Sequence, residues 1–273
     1  MDINLEIPSI PYETSTVKTI RTKKLVTLRP ILVKEEKILL MGKDRLDDEN
    51  DKQGLSEWLK SILQVLQACI VSPSDIKVQN LPSVDVNFLV KELRKISKGE
   101  VINLVLTCIP CRDEDKTADK IKPYIIRKKF NIDDLIVIEN KDNNAKNIIK
   151  LEENYGIEIS DYTMGMLLEY LKMLEDPDSS SNEISTLDLD ILSQTIKAVV
   201  LPDKRVELNT KEDRQKFFDS LPSKYIQKIK EYHNGIERMV LTTEWNCPKC
   251  GEKRVLREVD ALRFFGLTST TAT

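Results

Sequence analysis

The chain of 273 residues has one histidine, His233, so any scheme built on an imidazole base rests on that residue alone. It stands just ahead of a helix-ending Asn234-Gly235, where a surface position at the helix end is the simpler reading. The eight glycines form no phosphate-cradling loop, and no Gly-x-Ser-x-Gly turn is present to carry a nucleophile. The acidic pairs Asp133-Asp134 and Asp188/Asp190 read as turn and cap residues. No apolar run approaches the ~20 residues of a membrane span. The N-terminal Met1-Asp-Ile-Asn-Leu-Glu-Ile lacks the basic and apolar regions of a signal peptide. A basic excess is missing as well: 42 Lys and Arg face 45 Asp and Glu, for a net charge of −3. Nucleic-acid binders concentrate positive charge, and Lys23-Lys24 and Arg127-Lys128-Lys129 are short enough to be solvated faces. Catalysis, membrane insertion and nucleic-acid binding are all disfavoured by these absences.

What is present is enough apolar material for a core, with 40% hydrophobic residues, and enough charge for a soluble surface, at 32%. The length suits one large domain or two modest ones. Without an export signal the chain belongs in a reducing cytoplasm, where paired cysteines mean metal or redox chemistry more often than disulfides. Four of the five cysteines form two such pairs, Cys108-Ile-Pro-Cys111 and Cys247-Pro-Lys-Cys250. Four thiolates delivered as two close pairs are what a structural Zn2+ site requires. The pairs stand roughly 135 residues apart, against about 15–20 in a compact ribbon, so one ion would join mid-chain to C-terminus. Such a closed site has no open coordination position and contributes geometry, not water activation. Cys247-Pro-Lys-Cys250-Gly251 has the knuckle form, Pro restricting the turn and Gly permitting close backbone approach. Arg112 stands where the first pair would have its Gly.

Two alternatives remain open. Cys108-Ile-Pro-Cys111 superficially matches a thioredoxin-like oxidoreductase, which needs its first cysteine at a helix N-terminus; the charged segment after Cys111 is not convincingly helical. A zinc-ribbon nucleic-acid module would need a basic stripe, and Lys249, Lys253, Arg254 and Arg257 are the local supply. Cys69, on an apolar stretch, reads as a small core residue.

Periodicity organises the rest. Residues 1–27 read as an extended leader with Pro8 and Pro11, its last residues joining a short strand over Lys24–Arg29. Residues 28–111 read as a helical part ending in the first knuckle. Its helices cover Leu32–Met41 (stopping at Gly42), Leu55–Ile70 (with Trp58 as core anchor) and Val86–Ser97 (capped by Ser83 or Asp85, stopped by Gly99). Val101–Thr107 is a strand into Cys108. Residues 112–235 read as a helical insertion with a small hairpin at Pro202-Asp203-Lys204. Its helix Thr163–Leu174 is apolar nearly all round and should be well buried. Residues 236–273 hold the second strand and knuckle, then a short helix ending in Phe264-Phe265. The fold class is α+β, mostly helical, with a four-cysteine zinc ribbon made from two sequence-distant strand–knuckle units.

Three stretches carry a resemblance: Leu28-Arg-Pro-Ile-Leu-Val-Lys-Glu-Glu-Lys-Ile-Leu-Leu40, the run Asp85–Glu100 into the first knuckle, and Cys247-Pro-Lys-Cys250-Gly251 followed by Phe264-Phe265. In this order they resemble the baseplate hub and hub-assembly proteins of T-even-type bacteriophages, most closely over 28–111 and 240–266. The resemblance implies a non-enzymatic morphogenesis factor in the infected cell's cytoplasm, as structural component or assembly chaperone. Its implied partners are other baseplate hub or tape-measure proteins, with oligomerisation open, and its implied metal positions are Cys108, Cys111, Cys247 and Cys250. The leader around Pro8–Pro11, the Trp58 helix and Phe264-Phe265 are candidate contact surfaces.

Overall fold

Alternating Thr and Val residues near the N-terminus form a hairpin, β1 (Ser15–Lys18) on β2 (Leu25–Leu28), which buries Val26 and Leu28. The computed structural model describes residues 10–47, 53–112, 123–140, 147–176, 178 and 181–258. Next comes α1 (Val33–Asp47), which does not stop at Gly42. A Cβ at Gly42 would lie 2.5 Å from Ser61 Oγ and 3.2 Å from the Trp58 ring. The glycine therefore serves close helix contact rather than termination. Its neighbour α2 (Gly54–Cys69) buries Trp58, Leu59, Ile62, Leu63, Leu66 and Cys69 along one helical stripe. β3 (Ile70–Ser72) returns to β2, completing a three-stranded antiparallel sheet. α3 (Ser83–Lys98) ends at Gly99, whose φ of 83° favours glycine.

The chain then enters β4 (Val101–Arg112), paired antiparallel with β5 (Pro123–Asn131). A one-turn helix, α4 (Ile132–Leu135), is capped by Asn131, whose side chain accepts from the Asp133 N–H, and leads into β6 (Ile136–Glu139). A second body follows from β7 (Ile148–Glu152), β8 (Tyr155–Ile159), α6 (Ser181–Gln194), β9 (Ile196–Val200) and β10 (Arg205–Glu207), while α5 (Met164–Glu175), between β8 and α6 in the chain, packs Met164 and Leu168 into the first core. The strands of the second body form an antiparallel sheet in the order β10-β9-β8-β7. Thr210 caps α7 (Lys211–Asp219), and α8 (Lys224–Asn234) packs Tyr225, Ile229 and Tyr232 into that body's core. The chain ends its described course in β11 (Arg238–Asn246) and β12 (Lys253–Glu258), with β6 as the third strand of their sheet.

Helix takes 44% and strand 31% of the described residues, so the fold is mixed α and β, not mostly helical. β3 and β7 to β10 are three to five residues long, too short for their alternation to compete with a helical stripe, while β4 and β5 run to 12 and 9 residues. α5 also departs from expectation. It buries only Met164 and Leu168, while Met173 and Leu174 are 49% and 39% exposed. The helix docks on α2, on the turn at Val78–Asn80 and on α6, and its remaining apolar face stays open.

One polar clasp joins the two apolar cores. In the turn between β1 and β2, the N–H groups of Arg21 and Thr22 donate to Asp85 at 2.6 and 2.9 Å, and the Thr22 hydroxyl does so at 2.6 Å. Asp85 is fully buried on α3 and spends its oxygens here instead of capping the helix. The Arg21 guanidinium reaches Asp161, just past β8, at 2.8 Å, and Glu237, just before β11, at 3.0 Å. The hydrogen bond to Asp161 foremost, opposed by burial, raises its pKa above the usual arginine value. Removing one partner of such a pair strands the others. Arg21→Ala should cost about 2–3 kcal/mol, somewhat below the fully buried case. The exposed Lys18→Ala control should stay within about 0.5 kcal/mol; urea denaturation of both variants is the check.

Candidate metal centre

The C-terminal knuckle is built from a hairpin tip. β11 ends one residue before Cys247 and β12 begins at Lys253. The turn is closed by Cys247 N–H to Glu252 O at 2.9 Å and Gly251 N–H to Cys247 O at 2.8 Å. Gly251 has φ of 74°, and a Cβ there would meet nothing within 4 Å. The glycine is needed for that left-handed conformation and not, as the residue pattern suggests, for close backbone approach. The first pair rides on β4. Cys108 sits opposite Tyr124 of β5, and the register shifts between Cys108 and Arg112, so the second cysteine lies in an irregular stretch of strand. Cys108 is thus on a strand and not at a helix N-terminus, which removes the dipole that a redox-active thiol would use.

The two knuckles meet. Cys108 Sγ is 4.0 Å from Cys250 Sγ, and Cys111 Sγ is 3.8 Å from Cys247 Sγ. All four sulfurs lie within 4.8 Å of one another. Sulfurs bound to one tetrahedral ion through ~2.3 Å bonds stand about 3.8 Å apart, so the donor set fits a metal. Disulfides are excluded, because all five cysteines are free and the cross-knuckle separations are nearly twice a bond of about 2.05 Å. Cys108, Cys111 and Cys247 are buried and belong to the larger apolar core, together with Trp245; Cys250 is exposed.

Charge at the cluster is uneven. Burial acts to raise the Cys247 thiol, but backbone N–H groups of Cys250 and Lys249, with the neighbouring thiols, bring it down to about 7. Burial and the three surrounding thiols push Cys111 up to about 12. Four thiolates together therefore need a cation among them, since a bound metal reverses this logic and holds its thiols deprotonated. Arg254 supplies positive charge beside the site. Burial opposes it, but hydrogen bonding to the sulfurs of Cys250 and Cys108 raises its pKa. Arg254 pairs with Trp245 across β11 and β12, a register that could have flagged it, since Trp245 and Cys247 share a face by strand alternation.

A family model described as "T4 bacteriophage base plate protein" matches residues 12–266, nearly the whole chain. The chain belongs to that family. Comparison with curated proteins and with solved structures gives no significant match. As a baseplate protein it is consistent with a structural or morphogenetic role beside other baseplate proteins, and no described helix is long and apolar enough to cross a membrane.

Other singled-out residues in this baseplate protein fall differently. Trp58 is 3% exposed and is core, not contact surface. Ile10, beside Pro11, is 86% exposed; Pro8 and Phe264-Phe265 lie outside the described residues. Three basic residues near the knuckle have carboxylate partners: Lys253 with Glu244 at 2.6 Å, Arg257 with Glu139 at 2.7 Å, and Arg254 with Glu252. They leave little uncompensated charge for a phosphate backbone.

His233 lies in the last turn of α8, as the Asn234-Gly235 stop suggests, but it is not a surface residue there. It is half-buried, with its ring 4.0 Å from that of Tyr162, and burial lowers its pKa to about 4. Nε2 lies 3.2 Å from Thr195 Oγ1, whose own proton goes to Leu192 O at 2.7 Å. The hydroxyl can only accept, so Nε2 carries the hydrogen. A histidine depressed from an unfolded value of 6.5 binds its proton in the unfolded state first, so stability is lost as pH falls below 6.5 and levels off below 4. Between pH 7 and 5 that loss should be about 2 kcal/mol. Denaturant titrations should show it as the difference between the native and His233→Asn profiles over that range, the slopes from other groups being common to both.

Proposed function

We propose that this chain is a non-enzymatic component or assembly factor of the baseplate hub, held in shape by a structural Zn2+ on Cys108, Cys111, Cys247 and Cys250. The convergence of two distant thiol pairs carries the metal part of the reading, and the family match over 12–266 carries the baseplate part. An all-sulfur donor set in a reducing compartment selects a soft or borderline ion, and four-thiolate tetrahedral sites are characteristic of structural zinc. With every position of the ion filled by protein, its contribution is to fasten the β4–β5 hairpin to the β11–β12 hairpin, while Arg254 offsets part of the excess negative charge. The protein's work is then to present surfaces to hub or tape-measure proteins in the host cytoplasm during tail assembly.

The metal part is checked by elemental analysis of the purified chain, with one zinc per chain expected. Cys250→Ser should lose the ion and lower the thermal midpoint by about 10 °C, from a stability loss of about 3–5 kcal/mol. Cys69→Ser should keep the ion. Retention of full zinc by Cys250→Ser would remove that residue from the ligand set. The baseplate part is checked in a phage carrying a nonsense codon in this gene. Tails without complete hubs should accumulate, and supplying the intact chain in trans should restore infectious particles. Normal particles from the mutant phage would refute the hub assignment.

A further inference from the structure

The β4–β5 hairpin is covered on one strand and bare on the other. On β4, Ile102, Leu104 and Leu106 belong to the larger core and are buried. On β5, Tyr124, Ile126 and Phe130 are only partly covered, and Lys128, opposite Leu104, is exposed. Ile125, Arg127 and Lys129 alternate with them on the outer face and are exposed. The two strands form a sheet of their own, and among the described residues no third strand lies beside β5. β5 is an edge strand whose outer backbone N–H and C=O groups are open to another strand.

The edge carries three consecutive cations without counter-charges. Arg127, Lys128 and Lys129 stand opposite Val105, Leu104 and Asn103, and none forms an ion pair among the described residues. Beyond the Asn131 end, Lys91 and Lys95 hold Asp133 at 2.7 and 2.5 Å, and Lys91 also holds Glu92. Glu100 accepts from the Asn131 side chain at 3.2 Å, and Asp134 of α4 makes no ion pair with β5. Residues 113–122, which join the strands, hold four acidic and three basic side chains, one negative charge in sum against three positive on β5. In a chain of net charge −3 this strand is a local excess of the opposite sign.

We infer that the free edge of β5 takes up an extended acidic segment of another baseplate protein as an added antiparallel strand. Strand addition satisfies the open backbone groups, and the cross-strand neighbours then set the sequence preference. The incoming strand meets Lys129, Arg127 and Ile125 in that order, so the fitting residues at alternate positions are acid, acid and apolar. A second copy of this chain does not fit. Antiparallel pairing of two β5 strands about Lys128 would bring the cations of both copies together, and like charges directly opposite are destabilising. The open backbone edge and the exposed Ile125 favour a peptide over a phosphate backbone, which uses neither. The inference rests on the proposed function only in taking the partner from the baseplate.

The test uses the full chain as bait for yeast-displayed random peptides about nine residues long, followed by fluorescence polarisation with the enriched peptides. These should carry Asp or Glu at two alternate positions followed by an apolar residue at the next. A scrambled peptide of the same composition should bind about fivefold more weakly, as should one N-methylated on alternate backbone nitrogens. The double variant Arg127→Glu, Lys129→Glu should weaken binding by about tenfold or more and reduce its salt dependence. Both side chains are exposed and unpaired, so its thermal midpoint should match that of the native chain. Arg127→Gln with Lys129→Gln should weaken binding about threefold and keeps the test decisive if charge reversal disturbs the fold. No enriched peptide, equal binding of the scrambled peptide, or binding unaffected by both double variants would each overturn the inference. So would tighter binding of a single-stranded oligonucleotide. A tenfold gain on replacing Asp113, Glu114 and Asp115 by their amides would make residues 113–122 the occupant instead. Zinc content and the nonsense-codon phage report separately, so failure of the hub reading is distinguishable from failure here.

Discussion

Two pairs of thiols roughly 135 residues apart in the chain come within 4.8 Å in space, and much of the architecture serves that meeting. The β4–β5 hairpin must present Cys108 and Cys111 on the same side as the tip of β11–β12. The link is β6, which follows β5 through a single helical turn and then pairs with β11 from Leu241 to Arg238. The second body, from β7 to α8, is an excursion from that frame and returns to it at β11. Three of the four sulfurs are packed into the larger apolar core, so the cluster is part of the core's edge and not an appendage.

Arg21 and Asp85 solve a related problem. The two cores are separate clusters, one around α2, α3 and β4, the other around β8, α6 and α8. Apolar contact between them runs through α5, which packs into the first cluster and touches α6. The turn between β1 and β2 supplies directional contacts across the junction, from Asp85 on one side to Asp161 and Glu237 near the other. Hydrogen bonds to charged groups are stronger and more geometrically demanding than neutral ones, so a few residues near the N-terminus help fix the angle between the bodies.

Periodic and punctuated segments were legible in advance. The α2 stripe, the Gly99 stop, the hairpin at Pro202-Asp203-Lys204 and the strand before Cys247 are local consequences of side-chain spacing, turn residues and left-handed glycine, whereas neither Ser83 nor Asp85 caps α3. Gly42 misled because a glycine inside a helix looks the same in sequence whether it ends the helix or admits a neighbour. α5 misled because an apolar surface does not reveal how much of it the same chain covers. His233 misled because its burial comes from Tyr162 and Thr195, both about 40 or more residues away in the chain.

The residue order alone determined which side chains can bind a metal, which segments are helical and that no catalytic apparatus of a familiar kind is spelled out. Those depend on residue type and on spacings within about one or two helical turns. Only the tertiary structure decided that the distant knuckles face one another, that Arg254 lies beside them, that Asp85 clasps a turn instead of capping a helix, and that α5 keeps an open face. Each of these is a contact between positions far apart in sequence, and local propensity carries no information about which remote partner will arrive.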